Sequence, residues 1–349
     1  MPKSLGFSVY LSTYEGQRAA LTPWKGSEAP VFLSLHISEE FDDTYCSRAQ
    51  QICDQLAAEG FRIIADVSVK TVATFGEPDL SRLANRLHLW ALRIDYGFSE
   101  EEIGELAEKM PIVLNASTTS VDAARRICAR GREVYAMHNF YPRPETGLDR
   151  EYLLETTRAL QAAGLKVMAF IPGDVLLRGP IHQGLPTLEE HRDCLPSAAF
   201  ADLAENFGMD EIFLADPGLS QKESQRIRRY CEDQVIPIPA ALNDGYEALY
   251  HRVFTNRIDS PSWMIRFQES RTYSCFGHAV EPECCTLRSR GSITIDNADY
   301  GRYSGEVQIL RKNFPADSRV NVIGRVCEKA MLLMDLVPRG GRFVLVPEE

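Results

Sequence analysis

The stretch LWALRIDYGFSEEEIGELAEKMPIVLNAS, residues 89–117, decides the fold. Residues 89–95 form a short apolar run ending in Asp95, as expected of a strand buried on both faces. Residues 99–109 follow with helical periodicity, and residues 112–115 return to an apolar run ending in Asn115. The alternation extends in both directions. Further strand candidates are 5–11, 31–36, 62–66, 133–138, 166–171 and 211–216. Helical periodicity covers 45–59, 120–129, 149–163 and 197–207, and several of these runs end in Gly. Eight strands with intervening helices, in about 235 residues, is the count for a (β/α)8 TIM barrel. The first unit is the weakest, because Pro23, Gly26 and Pro30 leave room only for a short helix.

After Pro237-Ile238-Pro239 the pattern changes. Short alternating runs at 263–267, 291–295, 306–310, 319–324 and 343–346 are separated by turn residues. The expected fold is α/β: a barrel over 1–234 and a smaller, mostly β domain over 235–349. Charge divides at the same place. The chain carries 38 basic and 49 acidic residues, net −11. Residues 235–349 hold 14 of each, so the whole excess lies in the first 234.

Composition sets outer bounds. With 349 residues, 44% hydrophobic and 25% charged, disorder, collagen and coiled coil are excluded. An acidic chain repels nucleic acid and anionic membranes, so neither is an expected partner. No apolar run approaches the roughly 20 residues that span a bilayer, and the N-terminus reads as a first strand rather than a signal peptide. Nine scattered cysteines without a C-x-x-C motif read as reduced thiols of a cytoplasmic protein. The adjacent Cys284 and Cys285 lack a further ligand at metal-binding spacing. Neither G-x-G-x-x-G nor G-x-x-x-x-G-K-[ST] occurs, so no metal and no cofactor is expected.

A barrel of this kind works at the C-terminal ends of its strands. All eight candidate ends are polar: Tyr10 and Ser12, His36 and Ser38, Asp66 and Ser68, Asp95, Asn115 and Ser117, His138 and Asn139, Asp174, and Asp216. Burying such a ring unpaired would be costly, so it marks a functional mouth. No lysine stands at these ends for Schiff-base chemistry; Lys166 opens its strand at the wrong end. No close histidine pair suggests a metal-dependent hydrolase. Carboxylates remain, and Asp66, Asp95, Glu145 and Asp216 are the candidates for glycoside hydrolysis, which needs two of them across the scissile bond. Two segments are too elaborate for plain loops. In residues 138–148, HNFYPRPETGL, two prolines stiffen the chain and hold Tyr141, Arg143 and Glu145. Residues 178–192, RGPIHQGLPTLEEHR, lie in a long loop after the seventh strand, and Thr187-x-x-Glu190 within it reads as a helix capping box.

At these segments the chain resembles the bacterial 6-phospho-N-acetylmuramidases, a glycoside hydrolase family. The resemblance rests on GFSVYLS (6–12), SLHI (34–37), ADVS (65–68), LRIDYGF (92–98), LNAS (114–117), NFYPRPETGL (139–148), RGPIHQGLPTLEEHR (178–192), IRFQESR (265–271) and ITIDNADYGRYSGEVQI (293–309). It covers nearly the whole chain, and the two long motifs at 139–148 and 178–192 are the specific ones. The chain departs from the pattern in its proline-broken first helix. The resemblance implies a TIM barrel followed by a cyclophilin-like domain. It also implies cytoplasmic cleavage of N-acetylmuramic acid 6-phosphate linked β-1,4 to N-acetylglucosamine, in recycling of cell-wall fragments.

The residues fit such a substrate, which carries a phosphate and a lactyl carboxylate and needs cationic or amide donors. Tyr10, His36, Asn115, His138, Asn139 and Tyr141 are expected to position the sugar, Arg178 to contact the substrate, and Arg143 to bind its anions. Arg266, Arg271 and Arg302 of the neutral second domain are expected to close over the mouth and hold its anions. A homodimer is compatible with this reading. Two other classes stay open: a barrel enzyme acting on another sugar phosphate, and a non-catalytic sensor of cell-wall sugar phosphates.

Overall fold

Eight runs of apolar residues pair side by side in parallel, and a closed barrel covered by helices buries both of their faces. They are β1 (Leu5–Val9), β2 (Pro30–Ser34), β3 (Arg62–Val67), β4 (Leu89–Ile94), β5 (Ile112–Asn115), β6 (Val134–Met137), β7 (Lys166–Ile171) and β8 (Glu211–Leu214). Each strand pairs with the next, and β8 pairs with β1, so the sheet closes. The computed structural model describes residues 4–35, 43–131, 133–272 and 280–348. The chain divides into two compact units, Met1–Arg228 and Arg229–Glu349.

Residues 89–117 fold as strand, helix and strand, as their pattern requires. Between β4 and β5 runs the helix Glu100–Lys109, whose start is fixed locally. The Glu102 N–H donates to Ser99 Oγ at 3.3 Å, and the Ser99 N–H donates to Glu102 Oε2 at 2.7 Å. Each satisfies a donor that the first helical turn leaves open. The first helix, Tyr14–Leu21, is short, and a single turn with Pro23 near its start follows it. The first strand stops sooner than its apolar run, because the Tyr10 N–H turns to Gln17 Oε1 at 2.9 Å.

Successive side chains alternate between the barrel axis and the helices. Phe32, Ile64, Ala91, Val113, Tyr135, Met168, Phe170 and Phe213 form the interior. Gly6 leaves space for this packing, since a Cβ there would stand 2.6 Å from the Phe213 ring. At the opposite end from the mouth, Arg62 pairs with Glu211 at 2.9 Å and Lys166 with Glu133 at 2.5 Å. Ions at that end of a TIM barrel serve stability rather than chemistry.

The second unit is a seven-stranded sheet. Its strands are β9 (Val235–Leu242), β10 (Val253–Thr255), β11 (Met264–Arg266), β12 (Ser292–Asp296), β13 (Val307–Leu310), β14 (Val320–Val326) and β15 (Arg342–Pro347), in the order β10-β15-β9-β14-β12-β13-β11. Neighbours are antiparallel except β9 and β15. Phe254, Phe267 and Phe343 pack at its centre, with ring centroids 4.6 and 4.8 Å apart for the two closest pairs. The Pro237-Ile238-Pro239 segment, read from the sequence as the point of change, lies inside β9. The strand tolerates these prolines because β14 pairs with it only at Ala240–Leu242. The absent N–H groups fall where no neighbouring strand asks for them.

Candidate active site

The two-residue alternation decides which polar strand ends face the barrel axis. On β3 the inward sequence runs Ile64, Asp66; on β4 it runs Ala91, Arg93; on β6 it runs Tyr135, Met137, and the next inward position is Asn139. Above the apolar interior these residues line a cavity of about 300 Å3 with Tyr10, Phe32, Ser34, Phe140, Tyr141, Phe170 and Arg178. An apolar floor with a few converging polar groups is the usual composition of a small-molecule site.

Arg93 organises the cavity. Its Nη1 donates to Asp66 Oδ1 at 2.8 Å and lies 3.9 Å from Asp95 Oδ1. Its Nη2 donates to Asn139 Oδ1 at 2.8 Å, and Asn139 Nδ2 donates to Ser117 Oγ at 3.3 Å. The Arg93 and Asp66 side chains are 7% and 8% exposed, whereas Asp95 is 26% exposed. A buried ion pair persists only when well paired, and removing one partner strands the other charge. Two carboxylates thus meet around one guanidinium, from adjacent strands. The reading of strand ends passes over Arg93, which sits inside β4. Its signal was a lone Arg in the otherwise apolar run LWALRI.

The two long segments form one structure. The Tyr141 N–H donates to Pro186 O, the Leu148 N–H to Thr187 O, and the Glu189 N–H to Leu148 O, each at 2.9 Å. Glu189 receives the backbone N–H groups of Glu145 at 2.8 Å and Gly147 at 2.7 Å. Arg192 grips the same carboxylate through Nε and Nη2 at 2.6 and 2.7 Å and also donates to Gly184 O and Tyr141 O. The Arg192 hydrogen bonds, with the two backbone N–H groups, outweigh burial and hold the Glu189 carboxyl down at about 2. Thr187 is not a helix cap. Its hydroxyl accepts from the Phe170 N–H and donates to Asn139 O, both at 2.9 Å, and the turn Glu189–His191 has no side-chain cap.

The other expected residues fall in several places. Tyr10, Asn139, Tyr141 and Arg178 line the cavity with Asp66. Asn115 is buried, and its Oδ1 accepts the Ser117 N–H at 3.0 Å, shaping the turn after β5. His138 does not line the cavity. It is 1% exposed with Nε2 3.1 Å from Thr157 Oγ1, and burial lowers its pKa to about 4. Its parity on the strand is outward, opposite to Asn139. Asp216 is also outward and fully buried. Its Oδ1 accepts the Arg178 N–H at 2.9 Å, and its Oδ2 accepts those of Gly173 and Leu185 at 2.9 and 3.0 Å. That arrangement braces a loop, and burial pushes the Asp216 carboxyl above its ordinary range despite the three N–H groups. Arg143 and Glu145 are exposed on the 139–148 loop and do not line the cavity. His36 and the side chain of Arg271 lie outside the described residues. In the second unit Arg266 pairs with Glu306 at 2.5 Å, so its charge is compensated, and the exposed Arg302 donates to Tyr303 Oη at 2.9 Å.

Among the described residues no group of three or more His, Cys, Asp or Glu is placed to hold a metal ion, and no helix is long and apolar enough to cross a membrane.

Two family models match the chain: 6-phospho-N-acetylmuramidase, N-terminal, over residues 5–229, and 6-phospho-N-acetylmuramidase, C-terminal, over residues 237–346. A conserved protein of unknown function from Enterococcus faecalis is 31% identical, with a TM-score of 0.86 over 99% of this chain and 96% of that one. An uncharacterized B. cereus protein shares the fold at 24% identity, with a TM-score of 0.79 over 99% of this chain and 100% of that one. No curated protein matches the chain.

Proposed function

The chain belongs to the 6-phospho-N-acetylmuramidase family, and from that premise we propose that it hydrolyses N-acetylmuramic acid 6-phosphate linked β-1,4 to N-acetylglucosamine. The proposed setting is recycling of cell-wall fragments in the cytoplasm. Eight free cysteines among the described residues support a reducing compartment.

The observation that carries the reading is the pair Asp66 and Asp95 around Arg93 at the mouth of the barrel. Glycoside hydrolysis passes through a cation-like sugar, which a buried anion stabilises. Asp66 is that anion in this proposal, held in place by Arg93 at 2.8 Å. Asp95 is more exposed and farther from the guanidinium, and it serves the leaving oxygen. One Arg93 nitrogen stands within 4 Å of both carboxylates. Asn139, fixed between Arg93 and Ser117, and Tyr141 supply hydrogen bonds to the sugar, and the rings of Phe32 and Phe170 form the apolar floor.

The test is hydrolysis of the phosphorylated disaccharide by wild type, D66N and D95N, with circular dichroism as a check on folding. Each variant is expected to lower kcat by about 10²–10⁴, and E145Q, on the exposed loop, by far less. Full activity in both D66N and D95N would overturn the assignment. A wild type active only on other 6-phospho-glycosides would select another sugar-phosphate enzyme, and tight binding without cleavage would select a sensor.

A further inference from the structure

We propose that Arg178 is the anchor for the substrate's 6-phosphate and thereby sets the enzyme's preference for phosphorylated sugar. The assignment rests on the muramidase reading above and deepens it.

The ionised groups lining the cavity are Asp66, Arg93 and Arg178. Arg93 is compensated by Asp66 and, at longer range, Asp95. Arg178 forms no ion pair with any carboxylate of the described residues. Its acidic neighbour, Asp216, turns both oxygens to backbone N–H groups. Asp216 acts on Arg178 only at longer range, and a half-buried guanidinium with no carboxylate in ion-pair contact among the described residues, lining a cavity, suits an anionic ligand.

Its orientation suits that role. The Arg178 Cζ lies 4.1 Å from the centroid of the Tyr10 ring. Arg178 also hydrogen-bonds the Tyr10 side chain, and a guanidinium held in this way still carries further N–H groups that can match two phosphate oxygens at once. Tyr10 is itself fixed, since its hydroxyl donates to Ala215 O at 2.7 Å and burial pushes its ionisation up, so the ring stays neutral. The backbone is held as firmly. Asp216 ties together the N–H groups of Gly173, Arg178 and Leu185, which spans the loop from end to end. Gly173 permits this closure, because a Cβ there would meet Gly218 O at 2.3 Å. A site of this kind is pre-organised before the ligand arrives.

Position favours phosphate over the lactyl carboxylate. Arg178 belongs to the loop after β7, and the loops after strands seven and eight are where TIM barrels most often bind phosphate. Arg93, by contrast, lies between the proposed catalytic carboxylates and is not free for it.

The experiment uses the full chain as wild type, R178Q and R178K. Three substrates separate the two anions: the 6-phospho disaccharide, the same disaccharide without phosphate, and a 6-phospho disaccharide of N-acetylglucosamine, which lacks the lactyl group. Wild type is expected to prefer the phosphorylated forms by kcat/KM. R178Q should reduce that preference by at least about 30-fold, whether or not the lactyl group is present, and R178K should restore only part of it. A loss equal on all three substrates would overturn the proposal in favour of a structural role. A loss that follows the lactyl group would reassign Arg178 to the carboxylate. Calorimetric titration with inorganic phosphate keeps the two readings apart. If wild type cleaves none of the substrates, the muramidase reading fails, yet phosphate binding that R178Q abolishes still upholds the anion site. Equal binding by wild type and R178Q sinks it.

Discussion

Arg93 and His138 show how one residue of parity changes a side chain's fate. Arg93 continues the inward row of β4 and meets Asp66, from a position 27 residues away in sequence, at 2.8 Å. His138 follows the inward Met137 by one residue and is pressed outward against Thr157. Both residue types suit a site, and only the pairing of the strands separates them. The buried histidine has a pH consequence. Its folded pKa of about 4 lies below its ordinary 6.5, because burial penalises the charged ring. The unfolded chain therefore takes up the proton first as pH falls. Stability from this site is fully present above about pH 6.5 and is lost as pH falls toward 4. H138Q, whose amide can still bond Thr157 but does not titrate, is expected to lose less unfolding free energy between pH 7 and pH 4.5 than wild type. Urea denaturation at the two pH values measures it. An identical loss in both proteins would refute the assignment.

At the scale of elements, the two conspicuous loops work as a pair. Residues 139–148 bring Asn139 and Tyr141 to the cavity, and residues 178–192 bring Arg178. Glu189 and Arg192 staple one to the other through backbone groups of both. Two prolines marked residues 139–148 as rigid in the sequence, and residues 178–192 stood out as part of a long loop. Their contact was not legible there, because bonds between Leu148 and Thr187 join positions distant along the chain. The same blindness made Thr187 look like a helix cap. Glu189 titrates at about 2, below the ordinary 4.5, chiefly through its bonds from Arg192. The staple's contribution is thus present above about pH 4.5 and lost as pH falls toward 2. E189Q keeps the shape but not the charge that holds four donors. It is expected to lower kcat/KM roughly tenfold, since misplacing a site by a fraction of an ångström has that order of effect, and to flatten the acid limb of the stability curve. An E189Q enzyme with wild-type activity and acid sensitivity would show the staple to be idle.

The molecule as a whole is two units with separate interiors. The second has its own aromatic centre in Phe254, Phe267 and Phe343 and its own seven-stranded sheet. Residues 229–349 alone are therefore expected to unfold in one cooperative thermal transition, and a featureless melt would contradict this. The neutral balance of residues 235–349 against the acidic barrel part was plain from composition. So were the eight strands, the helices between them and the later change of pattern. These follow from local rules: apolar runs, helical periodicity and turn residues act over a few positions and need no partner. Two strands escaped those rules, β9 behind its prolines and β10 at three residues, because pairing with β15 rather than local preference makes them. The site needed more still. Closure of the barrel fixes which of two faces each strand end turns to the axis, and a one-residue difference reverses it. Carboxylates that looked alike in the sequence therefore part company. Asp66 meets Arg93 in the cavity, whereas Asp216 spends its oxygens on three backbone N–H groups. Sequence alone named the ring of polar ends; the barrel's closure chose among them.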